Sequence, residues 1–160
     1  MSRIDAEYTL AHAATDLEDL IISGAWLEPL TARVGQLSVD ASEPIDRGDM
    51  VERTYRLVPS STPFPGFDGA WTLETIYTRP AHRLEYVVIP QDARLAPWAI
   101  NKGQVSVHPA GEGHTRLVFE GISRCRLPVI KRWVDRWAAG RTEKLFNVWV
   151  EILTRQLQET

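Results

Sequence analysis

Residues 127–158 read LPVIKRWVDRWAAGRTEKLFNVWVEILTRQLQ and contain three of the six tryptophans of this 160-residue chain. When successive residues are placed at intervals of about 100° around a helix axis, the apolar side chains collect on one side. This apolar stripe consists of Ile130, Val134, Ala138, Leu145, Val148, Trp149 and Ile152, with Trp137 at its margin. The opposite side carries Arg132, Asp135, Arg136, Glu143, Asn147 and Glu151, with Val150 as an exception. We therefore predict one amphipathic helix, over roughly residues 129–157, that lies on an equally long apolar surface.

The start of the chain predicts a strand followed by two short helices. Apolar and polar residues alternate over residues 3–11, a period of two that is typical of a half-buried strand. In the following segment, TDLEDLIISG, Thr15 and Glu18 have the spacing of a capping box, and Gly24 can end the helix in the left-handed conformation. A second helical segment, AWLEPLTARVG, ends in Gly35. The apolar residues of the strand are Ile4, Ala6, Tyr8 and Leu10.

From residue 36 to residue 125 the pattern is that of consecutive β-hairpins. The runs QLSVDASEPI and DMVERTYRLVP alternate in polarity and are joined by DRGD, which favours a turn. AWTLETIYTRPAHRLEYVVIP contains two strand-like runs, and KGQVSVHPAGEGHTRLVFEGISRC repeats the pattern around PAGEG. Consecutive hairpins build an antiparallel meander. A curved sheet of this kind is the apolar surface that we expect the last helix to cover.

The composition is that of an ordinary globular domain, with 44% hydrophobic residues, 24% charged residues and a net charge of -3. The length predicts a single domain over residues 1–160. The negative charge argues against nucleic acid as a partner, and no run approaches the ~20 apolar residues of a membrane span. With one cysteine, Cys125, and no secretion signal, we predict a cytoplasmic protein without a metal or other cofactor. Monomer and homodimer both remain open.

The predicted order of elements resembles the helix-grip fold of the SRPBCC superfamily. The segments that carry the resemblance are RIDAEYTLAH, TDLEDLIISGAW, the two hairpins and LPVIKRWVDRWAAGRTEKLFNVWVEIL, and together they span nearly the whole chain. The superfamily includes START lipid-transfer domains, carriers of the birch-pollen-allergen type and polyketide cyclases. The resemblance implies an α+β fold whose sheet wraps around the terminal helix and encloses a cavity for an apolar ligand.

Arg141 stands within the predicted apolar stripe, between Val134 and Leu145. An unpaired guanidinium is costly to bury. Arg141 is therefore a candidate anchor for a carboxylate, phosphate or enolate group of a ligand in the cavity. Two alternatives remain open. The side chain reaches water at the cavity mouth or pairs with a carboxylate of the sheet, or Gly140 bends the helix and turns Arg141 outward.

Aromatic residues on the strands and loops are further candidates for ligand binding. They supply apolar walls with polar tips, although aromatic residues in strands are also common core residues. The loop over residues 59–70 is either a lid on the pocket or a hairpin connection that its phenylalanines hold to the body. The candidates are Trp71, Tyr55, Tyr77 and Tyr86 on strands, Phe64 and Phe67 in the loop, Trp98 on a second rim, and Leu145 and Trp149 on the helix.

Three classes of function fit these observations. The favoured class is the carriage or sensing of a small hydrophobic molecule, such as a lipid, sterol or aromatic polyketide, because aromatic residues are many and no nucleophile arrangement is recognisable. The alternative is an enzyme of the polyketide cyclase or aromatase type that uses the same cavity, for which the sequence assigns no catalytic residue. The third class is a protein-interaction module with a vestigial cavity, in which the loop with Phe64 and Phe67 contacts a partner.

Overall fold

The helices and strands follow the order that the sequence predicts. The computed structural model describes residues 1–34, 37–60 and 69–160, so Gly35, Phe64 and Phe67 lie outside the described residues. The elements are β1 (Ser2–Leu10), α1 (Ala14–Ser23), α2 (Leu27–Val34), β2 (Leu37–Ala41), β3 (Ile45–Asp46), β4 (Met50–Pro59), β5 (Trp71–Thr78), β6 (Arg83–Pro90), β7 (Ala99–Pro109), β8 (Thr115–Cys125) and α3 (Lys131–Glu159).

The described strands form one antiparallel sheet in the order β1-β8-β7-β6-β5-β4-β2, and the short β3 pairs with β4. From β4 to β8, strands that are neighbours in sequence are also neighbours in the sheet, as a meander requires. The first strand pairs with the last, with Ile4 opposite Gly121. Helix α3 packs on β1 and β8. This arrangement confirms the predicted α+β architecture, with two short helices after the first strand and a long C-terminal helix.

Alternating side chains determine which face of the sheet is covered. On β8 every second residue is buried, namely Thr115, Leu117, Phe119, Gly121, Ser123 and Cys125. On β1 the most buried residues are Ile4 and Leu10, which have the spacing of one strand face. Because neighbouring side chains of a strand point to opposite faces, the buried residues form a single inner face, against which the helices pack.

Helix α1 begins earlier than the capping-box spacing predicts. Its N-cap is Ala13, which makes no side-chain capping bond, so the predicted box of Thr15 and Glu18 is wrong. The Glu18 carboxylate instead accepts a hydrogen bond from the Tyr77 hydroxyl at 2.5 Å, and this tertiary contact replaces the local one. The predicted end of the helix is confirmed. Gly24 has a φ of 72°, a left-handed conformation that glycine adopts without a steric penalty.

Helix α3 buries a face that differs from the predicted apolar stripe. The buried residues of its second half are Phe146, Trp149, Val150, Ile152 and Leu153. Phe146 does not belong to the predicted stripe. Leu145 and Val148 do belong to the stripe, but they are only partly buried. The side chains of Val134, Trp137 and Ala138 lie outside the described part of the structure. At 3.6 residues per turn, the buried face is rotated by about 80° from the predicted one.

Asp135 accounts for part of this rotation. The sequence places it on the polar side of the helix, but it is only 4% exposed. Its carboxylate accepts hydrogen bonds from the backbone N–H of Cys125 at 2.5 Å and from the amino group of Met1 at 2.7 Å. Such charge-assisted bonds satisfy a buried carboxylate. Both donors lie at one end of the paired strands β1 and β8, so they hold the first turns of α3 with Asp135 toward the sheet.

Candidate functional site

A cavity lies between the inner face of the sheet and the helices α2 and α3, where the fold resemblance implies one. Its volume is about 170 Å³, and its wall is almost entirely apolar. The sheet contributes Val39, Tyr55, Leu57, Leu73, Thr75, Leu84, Tyr86, Val88, Val105 and Phe119. The helical side contributes Trp26, Leu27, Leu30, Thr142, Leu145, Phe146 and Trp149.

An aromatic chain, consisting of Tyr86, Phe119, Phe146, Trp149, Trp26 and Tyr55, runs through this wall from the sheet to the helices and back. The centroids of successive rings lie 4.2 to 5.9 Å apart, within the range of favourable ring pairs. Aromatic rings have few rotatable bonds, and each of these rings is held by its neighbours. The chain therefore forms a rigid wall against which a flat apolar molecule can pack.

Two glycines give Tyr86 its position in this wall. Tyr86 on β6 pairs with Gly103 on β7, and Gly103 pairs with Gly121 on β8. A Cβ atom at either glycine would lie 2.8 Å from the Tyr86 hydroxyl, closer than real Cβ atoms approach other groups. Because both positions lack a side chain, the phenol can lie across the two strands, where its ring is parallel to that of Phe119 within 4°.

Most polar side chains of the wall have protein partners. The Thr75 hydroxyl donates a hydrogen bond to the carbonyl of Arg53 at 3.1 Å. The Thr142 hydroxyl accepts one from the amide of Asn101 at 3.0 Å. Burial raises the pKa of the Tyr55 hydroxyl, and its contacts with Arg53 and Thr75 oppose that rise. These groups are therefore already engaged by the protein.

Two polar atoms of the wall have no hydrogen-bond partner among the described residues: the hydroxyl of Tyr86 and the indole Nε1 of Trp149. Both side chains are buried, at 9% and 6% exposure respectively. Burial also raises the pKa of the Tyr86 hydroxyl well above its ordinary value, so this group stays protonated at neutral pH. The two residues that carry these atoms line the cavity, but the atoms themselves are buried and the exposed wall is apolar.

A second, smaller void of about 20 Å³ shares Trp26, Tyr55 and Thr75 with the cavity and is also lined by Tyr77. The hydroxyl of Tyr77 does not point to a ligand site, because it donates to Glu18 at 2.5 Å. Burial and this bond to Glu18 raise the pKa of Tyr77. The Glu18 carboxylate also contacts the imidazole Nδ1 of His82, so Tyr77 belongs to a polar cluster that ties α1 to the β5–β6 hairpin.

The structure brings four of the predicted ligand-binding residues together in the cavity wall: Tyr55, Tyr86, Leu145 and Trp149. Tyr77 lines the smaller void instead. Trp71 is on the inward phase of β5, as predicted from its spacing to Leu73, but it does not contribute to the described wall.

Trp98 lies outside the described cavity wall and is 45% exposed. Its backbone carbonyl accepts a hydrogen bond from the N–H of Arg126, so this rim residue joins the β6–β7 connection to the end of β8. The predicted lid residues Phe64 and Phe67 lie outside the described residues.

Arg141 is partly buried and is not among the described residues of the cavity wall, whereas its neighbour Thr142 is. The two positions differ by about 100° around the helix axis. The predicted location of Arg141 inside the apolar stripe is therefore corrected to the flank of the buried face. The rotation of α3 described above is the physical reason. Its role as an anion anchor stays a prediction.

Several wall residues were absent from the predicted site, above all Trp26, Phe119 and Phe146. For two of these residues, the sequence pattern indicates an inward-facing side chain. Phe119 has the inward phase of β8, and Phe146 stands three, four and seven residues before Trp149, Val150 and Leu153, a helical spacing. Trp26 precedes α2 in a turn, where no periodicity indicates its direction.

No family model and no curated protein matches the sequence, but solved structures resemble the fold over nearly its full length. Norcoclaurine synthase from Thalictrum flavum is 12% identical, with a TM-score of 0.68 over 99% of this chain and 87% of the other. The Zhui aromatase/cyclase from Streptomyces sp. R1128 is 12% identical, with a TM-score of 0.67 over 98% and 93%. TTHA0849 from Thermus thermophilus is 14% identical, with a TM-score of 0.65 over 99% and 98%.

These likenesses confirm the helix-grip fold. At such low identity they establish the fold alone. None of the helices in the described residues is both long and apolar enough to span a membrane.

Proposed function

We propose that this protein binds a small, mainly apolar molecule in the cavity between the sheet and α3, as a carrier or sensor. The observation that carries the proposal is the cavity itself, which has a volume of about 170 Å³ and an almost wholly apolar wall in the middle of the fold. Ligand sites are concave, mostly apolar clefts with rigid walls. An apolar cleft of this size, lined by aromatic rings that hold one another in place, therefore favours a site for a ligand.

The size of the cavity narrows the class of ligand. Its volume of about 170 Å³ is slightly above that of an engineered apolar cavity of about 150 Å³, which binds benzene. A molecule with one aromatic ring, or a short branched chain, fits this space. The cavity is open to solvent on one side, so the larger part of a sterol or fused-ring polyketide can extend out of it, and the volume sets the size of the enclosed group only.

The choice between carriage and catalysis rests on the chemistry of the wall. Two of the similar structures are a cyclase and a synthase by name, so an enzyme of the cyclase type is the alternative. The described wall residues, however, include no carboxylate, imidazole, amine or thiol, which are the usual proton-transfer groups and nucleophiles. A tyrosine whose pKa is raised by burial is a poor acid at neutral pH. This composition supports binding without turnover.

A pair of variants on one strand tests the proposal. Val88 lines the cavity, whereas its neighbour Val87 is 39% exposed on the outer face of β6. Val88→Phe should fill the cavity with a ring, and Val87→Phe adds the same ring outside it. Binding of toluene, followed by the emission of the wall residues Trp26 and Trp149, should be saturable in the parent and in Val87→Phe and at least about 10-fold weaker in Val88→Phe.

Equal binding by the two variants would place the ligand elsewhere. A parent protein that shows no saturable change with toluene, a fatty acid or a flavonoid would overturn the proposal. That result would favour the third class of function, a protein-interaction module.

A further inference from the structure

Positive charge is concentrated where the sheet meets the start of α3. Residues 124–136 contain five basic residues and one acidic residue, although the whole chain has a net charge of -3. The acidic residue, Asp135, is 4% exposed, and the backbone N–H of Cys125 and the amino group of Met1 engage its carboxylate. The basic residues are all exposed and form the basic cluster, which consists of Arg124, Arg126, Lys131, Arg132 and Arg136.

The basic cluster has no counter-charges among the described residues. Seven arginines elsewhere form ion pairs with carboxylates, whereas no member of the cluster forms one with a described residue. Lys131 and Arg132 also lie in the first turn of α3, which contains no acidic residue. Cations at this end of a helix are unfavourable, because the helix dipole is positive there. The position of these charges is therefore better explained by a negatively charged partner than by the stability of the fold.

Exposed apolar side chains lie at the same end of the sheet as the basic cluster. Trp98 is adjacent to Arg126, because its backbone carbonyl accepts a hydrogen bond from the Arg126 N–H at 2.7 Å. Val129, between β8 and α3, is 95% exposed, more than any other large hydrophobic residue described. Trp98 and Trp133 are about half-exposed. These three residues form the apolar tip of the molecule.

We propose that the basic cluster and the apolar tip together dock this protein on the surface of an anionic membrane. Anionic headgroups attract lysine and arginine, and the boundary between headgroups and acyl chains accepts apolar side chains. Tryptophan is frequent at that boundary, since its ring is apolar and its N–H is polar. A nucleic acid or an acidic soluble protein supplies the negative charge, but neither has a ready apolar layer for Val129. The combination therefore favours a membrane, whatever ligand the cavity holds.

Sedimentation of the full chain with lipid vesicles tests this docking. Vesicles of phosphatidylcholine and phosphatidylglycerol in equal parts supply an anionic surface, and vesicles of phosphatidylcholine alone supply a neutral one. Lys131→Gln/Arg132→Gln removes two charges of the basic cluster. Lys144→Gln/Arg155→Gln is the matched control, because it removes one lysine and one arginine from exposed positions elsewhere on α3.

A second pair of variants tests the apolar tip. Val129→Ser removes its most exposed side chain, and Val87→Ser makes the same replacement on the outer face of β6, where Val87 is 39% exposed. Poly-glutamate, titrated by calorimetry, serves as an acidic polymer without an apolar layer. Thermal unfolding confirms that each variant is folded.

The parent should bind the anionic vesicles and not the neutral ones. Raising the salt from about 0.1 M to about 1 M should release it, because the screening length shortens from about 10 Å to about 3 Å. At the lower salt, Lys131→Gln/Arg132→Gln should bind about 10- to 30-fold more weakly than the parent. Val129→Ser should bind about 5-fold more weakly. Both control variants should bind like the parent.

Three results would overturn the inference. The first is a parent that does not bind anionic vesicles or that binds neutral ones equally well. The second is an equal loss of binding in the two double variants, which would indicate a general effect of net charge. The third is tighter binding to poly-glutamate than to vesicles without an effect of Val129→Ser, which would favour an acidic protein as the partner. None of these results bears on toluene binding in the cavity, so the proposed function is tested separately.

Discussion

Removing the hydroxyl of Tyr86 should not destabilise the protein without ligand, whereas removing that of Tyr77 should. Both are tyrosines on neighbouring strands, and both are at least nine-tenths buried. The hydroxyl of Tyr77 donates to the Glu18 carboxylate at 2.5 Å, whereas that of Tyr86 has no partner among the described residues. The replacement of tyrosine by phenylalanine is the same in chemistry and size at the two positions, so the difference between them isolates the hydrogen bond.

The expected magnitudes follow from these environments. A hydrogen bond to a charged group contributes about 1.5–3 kcal/mol, so Tyr77→Phe should lower the free energy of unfolding by that amount. For a domain of this size, such a loss lowers Tm by about 3–12 °C. Tyr86→Phe removes a group whose desolvation is unfavourable by about 1–3 kcal/mol. Lost packing of its hydroxyl against Gly103 and Gly121 offsets part of that gain, so we expect a change between zero and about 1 kcal/mol of stabilisation.

Urea unfolding at pH 7, followed by far-ultraviolet circular dichroism, measures both changes without relying on the tryptophans. The slope with urea should be the same for the parent and both variants, which shows that the midpoints report stability. A loss in Tyr86→Phe as large as that in Tyr77→Phe would refute the reasoning. It would mean that the hydroxyl of Tyr86 has a hydrogen-bond partner in the folded protein.

Three further predictions concern the stability of the sheet and of helix α3. Gly103→Ala should destabilise by about 1–3 kcal/mol in urea unfolding, because a Cβ there would lie 2.3 Å from the backbone carbonyl of Glu120; an unchanged midpoint would contradict the strand geometry. Gly140→Ala should stabilise by up to about 1 kcal/mol, since no described atom outside the adjacent backbone of α3 lies within 4 Å of the added carbon; a lower Tm would count against this position in α3. A hydrogen bond from Arg79, followed by one from the backbone of Gly48, lowers the pKa of Asp46 from 3.8 to about 2. The stabilisation by the Asp46 carboxylate is therefore complete above pH 4 and is lost as the pH falls toward 2. The urea midpoint of Asp46→Asn should accordingly fall less than that of the parent between pH 4 and pH 2. If the two midpoints fall in parallel, the ion pair of Asp46 with Arg79 does not stabilise the protein.

The sequence by itself determined the order and type of the elements. The alternation on β1 and β8 and the left-handed end of α1 at Gly24 depend on the backbone geometry of adjacent residues, which a local pattern reports directly. The long apolar segment after the meander likewise predicted a helix that covers the sheet. These local patterns sufficed for the fold, and they also placed Tyr55, Tyr86, Leu145 and Trp149 near its centre, in the wall of the cavity.

Only the tertiary structure decided which way α3 faces. Contacts with distant strands set its rotation: Asp135 is held at Cys125 and Met1, and the amide of Asn147 accepts a hydrogen bond from the Tyr8 hydroxyl. Hydrophobic periodicity could not reveal them, because a polar residue buried by one specific partner has the same pattern as an exposed one. The rotation moved Arg141 to the flank and brought Phe146 inward.

The tertiary structure also decided which buried hydroxyl groups have a hydrogen-bond partner. Tyr77 and Tyr86 have similar patterns in the sequence, yet Glu18 engages the first, and the second lies across Gly103 and Gly121 without a described partner. Whether a buried hydroxyl is satisfied depends on the pairing register of three strands and on the position of a helix far away in sequence. That information arises only when the elements pack together.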